Sequence, residues 1–166
     1  MPKSSKQHRY ILTTTDYFTR WAEAISLWKI NDDEVIYFIN QYIMARFGVP
    51  TSLVFDNATY FSSLRLYDFA LENCIVLKHS SNYYPQGNGL VESTNKKLIC
   101  IIKKTLLSQK RNWHNALINF LLVNHVTPKP SLGTSPYFVI YRKEAVLPPI
   151  LYLPALQLSQ ESRGRP

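Results

Sequence analysis

Asn82-Tyr83-Tyr84-Pro85-Gln86-Gly87-Asn88-Gly89-Leu90-Val91-Glu92-Ser93-Thr94-Asn95-Lys96 joins a segment of turn formers to a run of helical period. Its first eight residues lack any period and carry Asn, Pro and Gly, so they read as the end of a loop spanning His79 to Gly89. From Leu90 to Leu107 the spacing predicts one long helix, with Glu92 in its first turns. At about 100° per residue, Lys96 and Lys103 fall within roughly 40° of Glu92 around the axis. Leu98, Ile101, Ile102 and Leu106 lie mainly on the other side, where a core is expected.

Upstream, Tyr10–Thr15 and Trp21–Leu27 read as two antiparallel strands closed through Asp16–Arg20. Asn31 offers an N-cap, and Val35, Phe38, Ile39, Tyr42, Ile43 and Phe47 recur at helical spacing until Gly48 and Pro50. An apolar strand from Ser52 to Phe55 runs into Asp56-Asn57, followed by a helix from Leu64 to Glu72 and a strand from Ile75 to Lys78. Downstream, Trp113–Val126 predicts a helix stopped by Pro128 and Pro130, and Ser135–Arg142 a shorter one. The order is that of one α/β domain over residues 1–147, with a Pro-rich, loose tail at 148–166.

Charge is unevenly spread. The net charge is +8, yet no Asp or Glu lies between Ser93 and Lys143, where nine Lys and Arg fall; the other residues carry 10 basic and 11 acidic side chains. Such a one-sided excess suits phosphate binding, and a merely solvated basic face is the alternative. With 46% hydrophobic residues the chain has ample core. There is no run of 18 apolar residues and no apolar stretch after the first Met, so no membrane partner is expected. An intracellular location, nuclear or cytoplasmic and not secreted, is expected. Cys74 and Cys100 are the only cysteines, without zinc spacing, and read as two buried free thiols.

Phosphodiester chemistry needs charge stabilisation of attacking and leaving oxygens, which two divalent cations held by carboxylates supply. Asp56 at a strand end and Glu92 on a helix are the candidates. On the residues alone, Asp56-Asn57 serves equally as a plain turn, and Glu92 with Lys96 as an ion pair on a solvated helix face.

Taken together, Val54-Phe55-Asp56-Asn57-Ala58-Thr59-Tyr60-Phe61 and the loop–helix block resemble the second and third catalytic blocks of retroviral and Ty3/gypsy-type integrases. The 35 residues between Asp56 and Glu92 match that family's D,D-35-E pattern. Asp16-Tyr17-Phe18-Thr19-Arg20-Trp21-Ala22-Glu23-Ala24 resembles its hairpin of second and third strands, and Gly133-Thr134-Ser135-Pro136-Tyr137 its closing helix. The resemblance implies an RNase H-like integrase catalytic core, a mixed sheet flanked by helices. It also implies a retrotransposon origin, DNA as partner, a homo-oligomer (dimer or higher), and two Mg²⁺ or Mn²⁺ ions at Asp56 and Glu92. Tyr83, Tyr84, Gln86, Asn95, Lys96 and Lys103 are the implied DNA contacts.

Two departures matter. The family's first catalytic Asp lies on an opening strand ahead of the hairpin, and residues 1–15 hold no acid, so the first strand is expected to be missing and the chain catalytically weak. Asp16 matches a hairpin position without metal and reads as a turn residue. Ala58 and Tyr60 replace a common Gly and an acidic or amide residue. A non-catalytic DNA-binding or oligomerisation module is the competing reading. An RNA-cleaving RNase H shares the fold and metals, but the Pro85-Gln86-Gly87 block resembles integrases.

Overall fold

A computed structural model describes residues 4, 6–56, 58, 61–79, 95, 96, 98–100 and 113–146. Strand β1 (Tyr10–Thr15) pairs antiparallel with β2 (Ala22–Leu27), from Tyr10 opposite Leu27 to Thr15 opposite Ala22. Asp16 closes the turn between them: its Oδ2 accepts both the Thr19 amide and the Thr19 hydroxyl at 2.7 Å. This is the turn role expected of it. Arg20 ends the turn at φ +60°, a left-handed conformation that costs a side-chain-bearing residue about 1–2 kcal/mol.

Helix α1 (Asp32–Phe38) starts at Asn31, whose Oδ1 accepts the Glu34 amide at 3.0 Å. Three acids in its first turn, Asp32, Asp33 and Glu34, complement the helix dipole. The single helix expected through Phe47 is instead α1, a π-helical stretch (Ile39–Met44) and a last turn, α2 (Ala45–Phe47). The wider π turn brings Phe38, Ile39, Ile43 and Met44 to one core, which a uniform α-helix would spread further around its axis. Gly48 at φ +83° then ends the helix, as its position suggested.

Strands β3 (Ser52–Phe55) and β4 (Val76–His79) form a parallel pair, Ser52 opposite Val76 and Phe55 opposite His79. They are joined through α3 (Leu64–Glu72), capped by the Ser63 hydroxyl. β4 begins one residue later than the sequence suggests. Leu12, Leu27, Val35, Phe38, Ile39, Phe61 and Leu66 form one core, with Leu53, Phe55 and Leu77 packed on it, so both strand pairs share an apolar interior. Residues 95, 96 and 98–100 are helical and are called α4. Helix α5 (Trp113–Val126) lies on β2, and α6 (Pro136–Tyr141), capped by Ser135, lies on α5. A second core joins Ala24, Leu98, Trp113, Leu117 and Phe120. The tail expected at 148–166 lies outside the described residues.

Cys74 and Cys100 correct an expectation. Both are free but exposed, because Cys74 sits in the turn after α3 at φ +56° and Cys100 on the outward side of α4. Among the described residues no helix is long and apolar enough to cross a membrane.

Trp21 and His125 lock α5 to the hairpin. The rings stack 3.5 Å apart at 10°, and the His125 Nε2–H donates to the Ala22 carbonyl at 2.6 Å. Burial pushes the His125 pKa down to about 4, with Lys129 and Arg46 adding to the shift and the Ala22 hydrogen bond opposing it. The neutral imidazole is therefore native, while the unfolded chain takes up a proton below its ordinary 6.5. Stability from this group is complete above pH 6.5 and falls as pH drops towards 4, by a total of about 3 kcal/mol. His114, lowered by burial and by Lys6 and His8, shifts in the same direction. Urea unfolding at several pH values should show His125→Phe flattening the loss between pH 6.5 and 4. The same variant should cost about 1 kcal/mol at neutral pH through the lost hydrogen bond. An unchanged pH slope in the variant would assign the acid sensitivity elsewhere.

Candidate metal and nucleic-acid site

Asp56 follows the last residue of β3, so the parallel pair delivers its carboxylate to a strand end, where open α/β sheets hold ligands. It is exposed, and its Oδ1 accepts the Ala58 amide at 3.1 Å. Its other oxygen meets no partner among the described residues. Behind it the chain folds back through a Phe61 amide to Ala58 carbonyl bond of 3.0 Å, and the buried Phe61 ring stacks on Phe55 at 4.5 Å. This aromatic pair holds the turn against the core while Asp56 stays in solvent. Beside it, His79 ends β4, and its Nε2 lies 2.8 Å from the Tyr67 hydroxyl.

Asn95 is half-buried on α4, and its Oδ1 accepts the Thr13 hydroxyl of β1 at 2.8 Å. Leu98, three positions on, is only 2% exposed and packs in the second core. One side of α4 is thus pinned to the hairpin by a hydrogen bond and an apolar contact. Lys96, Ile99 and Cys100 face outward, which puts the Lys96 ammonium in solvent, where a phosphate can reach it. The sequence reading named Asn95 for DNA and missed Thr13 as its anchor. The only signal was a hydroxyl residue within a strand, and three consecutive threonines, Thr13 to Thr15, left no means of choosing among them.

Glu92, Tyr83, Tyr84, Gln86 and Lys103 lie outside the described residues, so of the expected site the structure places Asp56, Asn95 and Lys96. Among the described residues no three His, Cys, Asp or Glu side chains come together as a metal cluster. The donor Asp56 offers is a hard, exposed carboxylate oxygen, chemistry that fits Mg²⁺ or Mn²⁺.

No protein-family model matches the chain. It is 28% identical over 144 residues to the Gag-Pol polyprotein of avian reticuloendotheliosis virus, covering 87% of this chain and 12% of that protein. Against the Gag-Pol polyprotein of Walleye dermal sarcoma virus the identity is 29% over 136 residues, covering 81% and 8%. Against the Transposon Tf2-3 polyprotein of Schizosaccharomyces pombe it is 25% over 153 residues, covering 90% and 11%. The chain therefore spans about a tenth of the length of the curated relatives it matches. Among solved structures, the simian T-cell lymphotropic virus intasome in complex with PP2A regulatory subunit B56 gamma superposes with a TM-score of 0.71 at 22% identity, over 89% of this chain and 52% of that one. The HTLV-2 integrase catalytic core in complex with magnesium gives 0.63 at 24%, over 81% and 86%.

The fold is that of a retroviral-type integrase catalytic core. Within this fold, the Thr13–Asn95 bond joins the hairpin to α4. Thr13→Val should lower stability by about 1 kcal/mol, because the half-buried Asn95 oxygen loses its donor. Combining it with Asn95→Leu should cost less than the two single changes added, as for any pair in direct contact. Strict additivity in thermal unfolding would show that the two side chains do not interact.

Proposed function

We propose that this chain is the catalytic-core portion of a DNA-integrating enzyme, which trims a DNA end and joins the freed 3′-hydroxyl to target DNA. The observation that carries the reading is Asp56: an exposed carboxylate at the end of a core-packed parallel strand pair, separated from Glu92 by 35 residues, in a chain with the fold of an integrase core. In this reading Asp56 and Glu92 hold two Mg²⁺ or Mn²⁺ ions. Such cations, when bound, stabilise the charge on the attacking and leaving oxygens of the phosphodiester.

The side chains of the chain then position DNA. Lys96 on α4, and Lys103 in the helix that the sequence pattern predicts, neutralise backbone phosphates. Asn95, its oxygen engaged by Thr13, has its amide Nδ2 to donate to a phosphate or sugar oxygen. Tyr83, Tyr84 and Gln86 guide the strand beside the reacting phosphate. The HTLV-2 core was solved in trimeric and dimeric forms, and the simian T-cell lymphotropic virus protein in an intasome, which supports a homo-oligomer here. With DNA as substrate, the place of action is the nucleus or the cytoplasm.

The 166 residues carry two of the three carboxylates that the D,D-35-E pattern requires, so their own joining activity should be very low. A version extended ahead of Met1 by a strand bearing an Asp should gain Mg²⁺-dependent joining of a labelled DNA end. Asp56→Asn or Glu92→Gln in that version should lower joining by about a hundredfold or more while duplex affinity stays within about twofold. A folded, extended protein that binds DNA with a steep salt dependence but never joins it would select the non-catalytic binding module instead.

A further inference from the structure

The turn end of the β1–β2 hairpin gathers exposed aromatic rings and cations that the proposed DNA-joining site does not use. Phe18 is 80% exposed and Tyr17 58%, their rings 5.5 Å apart edge to face. The Arg20 guanidinium lies over the Tyr17 ring, 5.0 Å from its centre. Trp21 behind them touches two more exposed rings, Phe47 at 5.9 Å and Tyr141 at 6.0 Å. Arg142 and Lys143 follow Tyr141 and are exposed, with Glu144 next to them. Of the other acids of this end, Glu23 is paired with Arg46 at 2.9 Å, and Asp16 accepts two neutral donors of its own turn and keeps its charge. The cations Arg20, Arg142 and Lys143 thus stand against the carboxylates Asp16 and Glu144, three to two. The surface is therefore aromatic and cationic.

Its two arginines are also in places where an arginine is poorly suited. Arg20 at φ +60° and Arg142 at φ +56° both hold the left-handed conformation that glycine adopts without strain. Arg142 occupies the C-cap of α6 in that conformation, a position where glycine is preferred. Arg20 carries a further cost, since its Nε is buried with no hydrogen-bond partner among the described residues. Neither residue makes a salt bridge among the described residues. The fold would be served as well by glycine at both, so their side chains answer to something outside the fold.

We infer that this hairpin-tip surface, formed by Tyr17, Phe18, Arg20, Phe47, Tyr141 and Arg142, binds single-stranded nucleic acid. Exposed rings offer stacking platforms for bases, and the arginines meet the phosphates between them. The strand must be single because in a duplex the base faces are already stacked inside and out of reach of Phe18 and Tyr17. Phe18 and the face of Tyr17 away from Arg20 would stack on unpaired bases, Arg20 would present its guanidinium from over the Tyr17 ring, and Arg142 would take a neighbouring phosphate. The surface shares no residue with Asp56, Glu92, Asn95, Lys96 or Lys103, so it is a second nucleic-acid site that stands independently of strand joining.

Fluorescence anisotropy of a labelled oligothymidylate, titrated with the full chain at several salt concentrations, tests this directly. Arg20→Gly with Arg142→Gly should leave the thermal midpoint equal or higher, since glycine relieves both backbone positions. The same pair should weaken oligothymidylate binding about tenfold and lower the salt slope by roughly 1.4, the contribution of two phosphate contacts on a single strand. Phe18→Ala should cost about tenfold through lost stacking, with little change in the slope. Binding to a blunt duplex should stay within about twofold in both variants. Absence of oligothymidylate binding by the parent chain, or an unchanged affinity and slope in the folded glycine pair, overturns the inference; an equal loss against duplex does so too. Loss of duplex binding in Lys96→Glu alone, with the oligothymidylate response intact, would bear on the α4 surface and support a separate site at the hairpin.

Discussion

Docking of α5 across the hairpin is the constraint on which the rest of the structure depends. It rests on one aromatic contact and one hydrogen bond, the Trp21–His125 stack and the His125 bond to the Ala22 carbonyl, both buried. With β2 and α5 held together, Ala24, Trp113, Leu117 and Phe120 form the floor on which Leu98 of α4 sits. Asn95 then comes within reach of Thr13. The orientation of the helix that carries Lys96 is thus a consequence of packing two elements that lie far from it along the chain. A charged imidazole at position 125 would be a cation without water beside Lys129 and Arg46, which ties the assembly to a neutral histidine.

The other half of the site depends on a different piece of physics. Asp56 is exposed, yet the residues on both sides of it are committed to the core: Phe55 and Phe61 stack, and Leu53 and Leu77 line the same interior. The apolar strand stops where the carboxylate begins, so the chain spends no free energy on burying a charge and keeps an oxygen available to a cation. Ala58 fits this turn through its amide, which bonds Asp56, so the replacement of a common glycine keeps the turn and its carboxylate. The hairpin tip is organised on the opposite principle. There Asp16 closes the turn with two hydrogen bonds, and the rings of Tyr17 and Phe18 that it raises face solvent.

Much of this was legible in the chain itself, for physical reasons that can be named. Caps, glycine stops and hydrophobic period are local, so Asn31, Gly48, Ser135 and the strands at Tyr10–Thr15 and Ser52–Phe55 could be read from neighbours within a few residues. The role of Asp16 was legible for the same reason. The π-helical stretch was not, because a uniform helix and a widened one have almost the same local pattern and differ only in which residues reach a common core. Exposure of Cys74 and Cys100 was equally hidden: a cysteine is apolar enough to suit either side of a helix end, and only packing decides.

By itself, then, the amino-acid sequence determined the order of elements, the asymmetry of charge and the spacing of Asp56 from Glu92, all properties of residues near one another or simply counted along the chain. Tertiary structure alone decided that Asn95 belongs to Thr13, that His125 lies flat on Trp21, and that Phe47 and Tyr141 arrive beside the hairpin tip. These contacts join positions up to 120 residues apart, from Trp21 to Tyr141. No local period encodes such a meeting, since it is fixed by how two cores bury their apolar faces together.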